Sequence, residues 1–145
     1  MHATQRVIKL IAEYKRDFCD WPSQEGLLQS VASCKDDYDV IIGDNDETEA
    51  LVSVIEALLE TGRLEQHTPS RIIAGMRAYG TTTYQLVLPE HARKTWYEDR
   101  ANLAECCRWL ADNGFDEGQV AYCVEKPWKF EGEYATCLAL AGRLV

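Results

Sequence analysis

A chain of 145 residues with 46% apolar residues fits one domain, or a small domain with an appended subdomain, and has enough apolar surface for a core. No apolar run approaches the ~20 residues of a bilayer span, and the amphipathic start, Met1 to Lys15, has no export-signal core, so the expected compartment is the cytoplasm with no membrane contact. A formal charge of −9 and a pI near 4.8 remove the usual electrostatic basis for nonspecific nucleic-acid binding.

In chain order, Val7, Leu10, Ile11, Tyr14 and Phe18 repeat at three and four, while Gln5, Lys9, Glu13, Arg16 and Asp17 take the other side. That spacing predicts an amphipathic helix over 4–18, broken by Trp21-Pro22. Ser23 is a candidate cap for a shorter helix over Gln24–Ser33, with Leu27, Leu28 and Val31 inward.

An acidic stretch follows. Between Lys35 and Arg63 stand nine carboxylates, Asp36, Asp37, Asp39, Asp44, Asp46, Glu47, Glu49, Glu56 and Glu60, and no Lys or Arg. The chain has 24 acidic and 15 basic residues, so 15 acids face 15 bases outside this window and the whole net charge lies within it. Tyr38–Ile42 fits a short strand or a buried loop. Asp44 with Glu47 resembles a capping box, opening a helix that runs to Thr61 and stops at Gly62. Leu51, Val52, Val54, Ile55, Leu58 and Leu59 form its apolar face. Glu49, Ser53, Glu56 and Glu60 step by four, three and four, which sets three carboxylates in one exposed stripe.

Beyond Gly62, Thr82–Leu88 is rich in β-formers and ends at Pro89, so a hairpin or small sheet is expected, with Ser70–Ala74 as a middle strand. The last third turns helical. Glu98–Asn113 carries Leu103, Cys106, Cys107 and Leu110 on one face and ends at Asn113-Gly114. Asp116 with Gln119 marks a new cap, and Pro127 stops the run, although Val120-x-Tyr122-x-Val124 also fits a strand. Phe130, Tyr134, Cys137, Leu138 and Ala141 fit a final helix. Trp109, Trp128, Phe130 and Tyr134 read as core residues of this tail, with an exposed aromatic patch as the other reading. The polar run Pro89–Lys94 is the best boundary.

Cys19, Cys34, Cys106, Cys107, Cys123 and Cys137 contain no Cys-x-x-Cys pair, and His2, His67 and His91 lie at no zinc spacing from them. They read as free thiols packed as small hydrophobes, without metal or disulfide. Gly43–Glu47 lacks the alternating ligands, central Gly and distal Glu of a calcium loop. No phosphate-binding glycine motif, nucleophile elbow or zinc-protease motif is present, and nothing nominates a nucleophile. The expectation is therefore no enzyme and no cofactor.

Helix, short helix, long helix ending in "ALLETGRLE", then "TTTYQLVL" resembles a winged-helix domain over residues 4–90. The resemblance implies an α+β fold: a winged-helix-like domain over 1–92 with a small β-hairpin or sheet, then a mostly helical subdomain over 93–145. It also implies that the helix Asp46–Thr61 would enter a DNA groove while the hairpin touches the backbone. Glu49, Ser53, Glu56 and Glu60 depart from that pattern, because carboxylates repel phosphates and base reading leans on Arg, Lys, Asn and Gln.

The functional expectation is a non-enzymatic acidic module that binds a basic protein surface through the nine carboxylates. In its extreme form it is an inhibitor that mimics DNA and blocks a nucleic-acid-binding complex, as small acidic anti-defence proteins of phages and mobile elements do, including those directed against CRISPR systems. Direct DNA binding is disfavoured. The alternative is a winged-helix transcription regulator that binds DNA through its wing, with Arg71 and Arg77 as the contacts.

Overall fold

The computed structural model describes residues 3–33 and 47–144. The chain is a mixture of helix and small sheet that divides into two compact units, Met1–Gln85 and Leu86–Val145. The division lies N-terminal to the polar run Pro89–Lys94.

In the first unit, α1 spans Ala3–Phe18, α2 Gln24–Ser33 and α3 Glu47–Glu60. Helix α1 buries Val7, Ile8, Leu10, Ile11 and Ala12, and packs on both α2 and α3. Phe18 departs from the expected inward face: it stacks beside Tyr14 at 4.5 Å but remains exposed, because it is the last helical residue and overhangs the core. Ser23 caps α2 as expected, its Oγ accepting from the Gly26 amide at 3.1 Å. Leu27 is fully buried and Leu28 half-buried. Helix α3 ends in a Schellman closure: Arg63 N–H donates to the Leu58 carbonyl and Gly62 N–H to that of Leu59, with Gly62 at φ +74°.

Four short strands follow: β1 Leu64–His67, β2 Ser70–Ile73, β3 Met76–Tyr79 and β4 Thr83–Leu86. β1 pairs with β4, and β2 pairs with β3, so the inner hairpin is nested within the outer pair. The inner register, Ser70↔Tyr79 to Ile73↔Met76, leaves Ala74-Gly75 as a two-residue turn. Both have positive φ, +51° and +78°, the signature of a type I′ turn. The Ser23 link between α1 and α2 adds an antiparallel bridge to Thr83, and Tyr84 N–H donates to the Pro22 carbonyl at 2.9 Å.

The second unit is helical: α4 Arg100–Asp112, α5 Glu117–Glu125 and α6 Glu131–Leu140, with 3-10 turns at Glu90–Ala92, Trp96–Glu98 and Pro127–Phe130. The strand alternative for Val120–Val124 fails because a full capping box starts a helix there. Asp116 accepts from the Gln119 amide at 2.8 Å and Gln119 accepts from the Asp116 amide at 3.0 Å. Trp96 stacks on Tyr134 at 4.4 Å between centroids, and Cys106, Leu110, Cys123, Phe130 and Ala135 fill the core with them. Arg93 forms a two-pronged ion pair with Glu131, which ties the polar run Pro89–Lys94 to α6. Of the four aromatics expected inside, Phe130 and Tyr134 are buried, Trp109 is half-buried, and Trp128 is 55% exposed, carried outward on the 3-10 turn after Pro127.

Cys106, Cys123 and Cys137 are buried free thiols, Cys107 is half-buried and Cys19 is exposed; Cys34 lies outside the described residues. Cys19 departs from the expected burial because it ends α1 in the left-handed conformation, φ +55°, where its amide closes the last turn on Lys15.

The Trp96 indole N–H is buried without a hydrogen-bond acceptor, so the ring contributes area and stacking but not a satisfied polar group. Trp96→Ala is expected to cost about 3–5 kcal/mol of unfolding free energy in a urea titration. Trp96→Phe keeps a ring on Tyr134 and removes the orphan donor, so its cost is expected to stay below about 1.5 kcal/mol. Equal losses for the two variants would rule out the stacking account.

Candidate protein-binding surface

Helix α3 positions the acidic stripe. Leu51, Ile55 and Leu58, spaced at four and three, are buried. A helix advances 100° per residue, so sinking that edge turns Glu49, Ser53, Glu56 and Glu60 outward. All four are exposed. The structure thus brings Glu49, Glu56 and Glu60 onto one face. Glu47 opens the helix, but its side chain is outside the described residues. Asp36, Asp37, Asp39, Asp44 and Asp46, with the Asp44 cap and the Tyr38–Ile42 segment, also lie outside them.

The stripe is locally unfavourable. Glu56 and Glu60 are a like-charged i,i+4 pair, which costs a few tenths of a kcal/mol. The last turn of α3 has no basic residue, so Glu60 faces the negative end of the helix dipole. Neither effect threatens a helix whose inner edge buries three aliphatic side chains, at about 1.5–3 kcal/mol each.

A second surface is the β2–β3 hairpin. Its register sets Arg71 opposite Ala78 and Arg77 opposite Ile72, so the two guanidinium groups project from opposite faces of the ribbon. Arg77 Nη1 donates to Ser70 Oγ at 2.9 Å. Around them Ile72 is 61% exposed, Met76 75% and Tyr79 70%. An open groove of about 340 Å³ runs beside Pro69, Arg71, Ile73 and Tyr79. Gly80 is needed at the groove's end: its amide donates to the Pro69 carbonyl at 2.7 Å, and a Cβ there would meet the Pro69 ring at 2.8 Å. The sequence carried a sign of this surface beyond the two arginines. From Gln66 to Pro89 no acidic residue occurs, in a chain with 24 of them.

Among the described residues no three His, Cys, Asp or Glu side chains are grouped to hold a metal ion, and no helix is long and apolar enough to cross a membrane. No family model, curated protein or solved structure matches the chain.

Two substitutions test this geometry. Glu60→Lys removes a like-charge contact and favours the helix end, so thermal unfolding is expected to show a gain of about 0.5–1 kcal/mol. Ala74 occupies the left-handed region that glycine adopts without strain, so Ala74→Gly is expected to raise stability by up to about 1 kcal/mol despite the added chain entropy. A clear loss from Ala74→Gly would contradict the I′ turn.

Proposed function

We propose that the chain is a non-enzymatic protein-binding module on a winged-helix frame whose charge pattern is inverted: the helix that would read DNA is acidic and faces a basic protein. The frame reading is supported by three helices followed by a long hairpin, and by the Ser23–Thr83 bridge joining the α1–α2 link to the last strand. The binding reading rests on one observation, the shared exposed face of Glu49, Glu56 and Glu60. The five aspartates Asp36, Asp37, Asp39, Asp44 and Asp46, together with Glu47, complete the surface in this reading.

The strong form is an inhibitor that mimics DNA and occupies the site of a cytoplasmic nucleic-acid-binding complex, as an anti-defence protein of a phage or mobile element would. Charge density sets what this needs. A DNA strand carries one phosphate per 3.4 Å of axis. Glu49 to Glu60 spans roughly 16 Å at 1.5 Å per residue with three carboxylates, about half the density of one strand. Mimicry therefore requires the rest of the acidic window, whereas steering of a basic partner requires only its field. That field acts over about 8–10 Å at physiological salt and mainly raises the association rate.

A second reading, DNA binding through the wing, is favoured by the acid-free hairpin with Arg71 and Arg77 on its two faces. The two readings separate cleanly. Under the first, Glu49, Glu56 and Glu60 all changed to Lys weaken the partner captured from the native host at low salt by tenfold or more, and the melting temperature does not fall. The wild-type chain gives no gel shift with duplex DNA at micromolar protein and about 0.1 M salt, where net repulsion removes the nonspecific term. Undiminished partner affinity in the triple variant sinks the first reading. A salt-sensitive DNA complex lost in Arg71→Ala and Arg77→Ala establishes the second.

A further inference from the structure

The second unit contains a sulfur cluster that neither reading uses. Cys106 and Cys107 lie side by side on α4, and Cys123 on α5, which packs against it. The Cys106 and Cys123 sulfurs are 4.0 Å apart, and the two residues are 17 apart in sequence. Cys107 follows Cys106 on the same helix and is half-buried beside this pair. Burial of small hydrophobes accounts for each cysteine alone, but not for two thiols meeting across a helix pair with a third next to them in the chain. A disulfide needs about 2.05 Å between sulfurs, so the pair stands about 2 Å from bonding distance.

We propose that Cys106, Cys107 and Cys123 form a thiol–disulfide exchange site that is oxidised by small-molecule disulfides and ends as a Cys106–Cys123 bond. The exposure gradient orders the steps. Cys107 is half-buried, while Cys106 and Cys123 are fully enclosed, so a solute meets Cys107 first. The Cys107 thiolate attacks one sulfur of the disulfide RSSR, the S–S bond breaks, and the first RS⁻ leaves and takes up the released proton. Cys123 then attacks the Cys107 sulfur and expels the second RS⁻, closing a Cys107–Cys123 bond. Cys106 attacks the Cys123 sulfur and returns Cys107 as a thiol. Two protein thiols lose two electrons and two protons, and RSSR becomes two RSH.

The proton affinities favour the role of Cys123 and slow those of Cys106 and Cys107. Cys106 is pushed well above the ordinary thiol range by its hydrogen bond to Cys123 and by burial, and Cys107 is pushed up to about 11, chiefly by burial. Cys123 is lowered by the hydrogen bond from Cys106. Cys123 is thus the sulfur that holds negative charge most readily, as the internal nucleophile must. Burial holds the Cys107 thiol protonated, which slows its first attack at neutral pH.

The test treats the full reduced chain with oxidised glutathione and maps it by non-reducing peptide mass spectrometry. One intramolecular bond between the Cys106–Cys107 peptide and the Cys123 peptide is expected, reversed by dithiothreitol, while exposed Cys19 keeps a simple glutathione adduct. Absence of that linked peptide after Cys19 has fully reacted overturns the site, and so does pairing of Cys123 with Cys19. Cys123→Ser is expected to leave glutathione on Cys107. Cys107→Ser is expected to slow formation of the Cys106–Cys123 bond at least tenfold, and an unchanged rate overturns the role of Cys107.

Discussion

The burial of one edge of α3 governs the first unit. Leu51, Ile55 and Leu58 sink into the core, and α3 packs on both α1 and α2. Each such side chain contributes about 1.5–3 kcal/mol, against tenths for any surface charge contact. The apolar edge therefore fixes the rotation of the helix, and the carboxylates go where that rotation puts them. The stripe cannot turn inward to relieve its own repulsion. The same packing holds α3 immediately before β1, because the Schellman turn at Gly62 closes the helix on itself and leads directly into the strand at Leu64.

Charge separates sharply within this unit. Residues 1–85 carry 14 acidic and 8 basic side chains. Without the nine carboxylates of the window, five acids face eight bases, so the rest of the unit is net positive by three. The hairpin is the clearest piece of that positive body, with Arg71 and Arg77 and no acid. Such a molecule presents fields of opposite sign from one small fold. Fields of this kind act on oppositely charged solutes and are weakened by salt.

Much of this was legible in the sequence, because the informative signals were local. Ser23, Gly62 and the Asp116–Gln119 box each act through a backbone hydrogen bond within a few residues, and each marks a boundary where it was expected. The stripe on α3 followed from spacing alone. What misled were residues whose fate depends on tertiary position. Phe18 and Trp128 fit apolar patterns but sit where a helix overhangs the core and where a 3-10 turn faces out. Val120-x-Tyr122-x-Val124 has the strand period, yet a capping box and the packing of Cys123 select helix. The Ala74-Gly75 turn was only half visible, since alanine does not advertise a positive φ. The meeting of Cys106 and Cys123 had no sequence signature, because no spacing rule joins residues on two helices that meet by packing.

The acidic stripe differs from the other helix surfaces of the chain in its pattern of sign. A terminal acid is not the difference, since α4 ends in Asp112 and α5 in Glu125, against their dipoles in the same way. Those helices keep cations nearby: Arg108 lies one turn before Asp112, and Lys126 and Lys129 follow Glu125. Solubility alone favours such interspersed signs, which lower self-repulsion at no cost in hydration. The segment between Lys35 and Arg63 does the opposite, with nine carboxylates and no cation. Any lysine among Glu49, Ser53, Glu56 and Glu60 would relieve the repulsion without touching the core edge. The one-signed face of α3 is therefore set by its core edge and not by local charge balance, since its spacing would accept a lysine as readily as a glutamate.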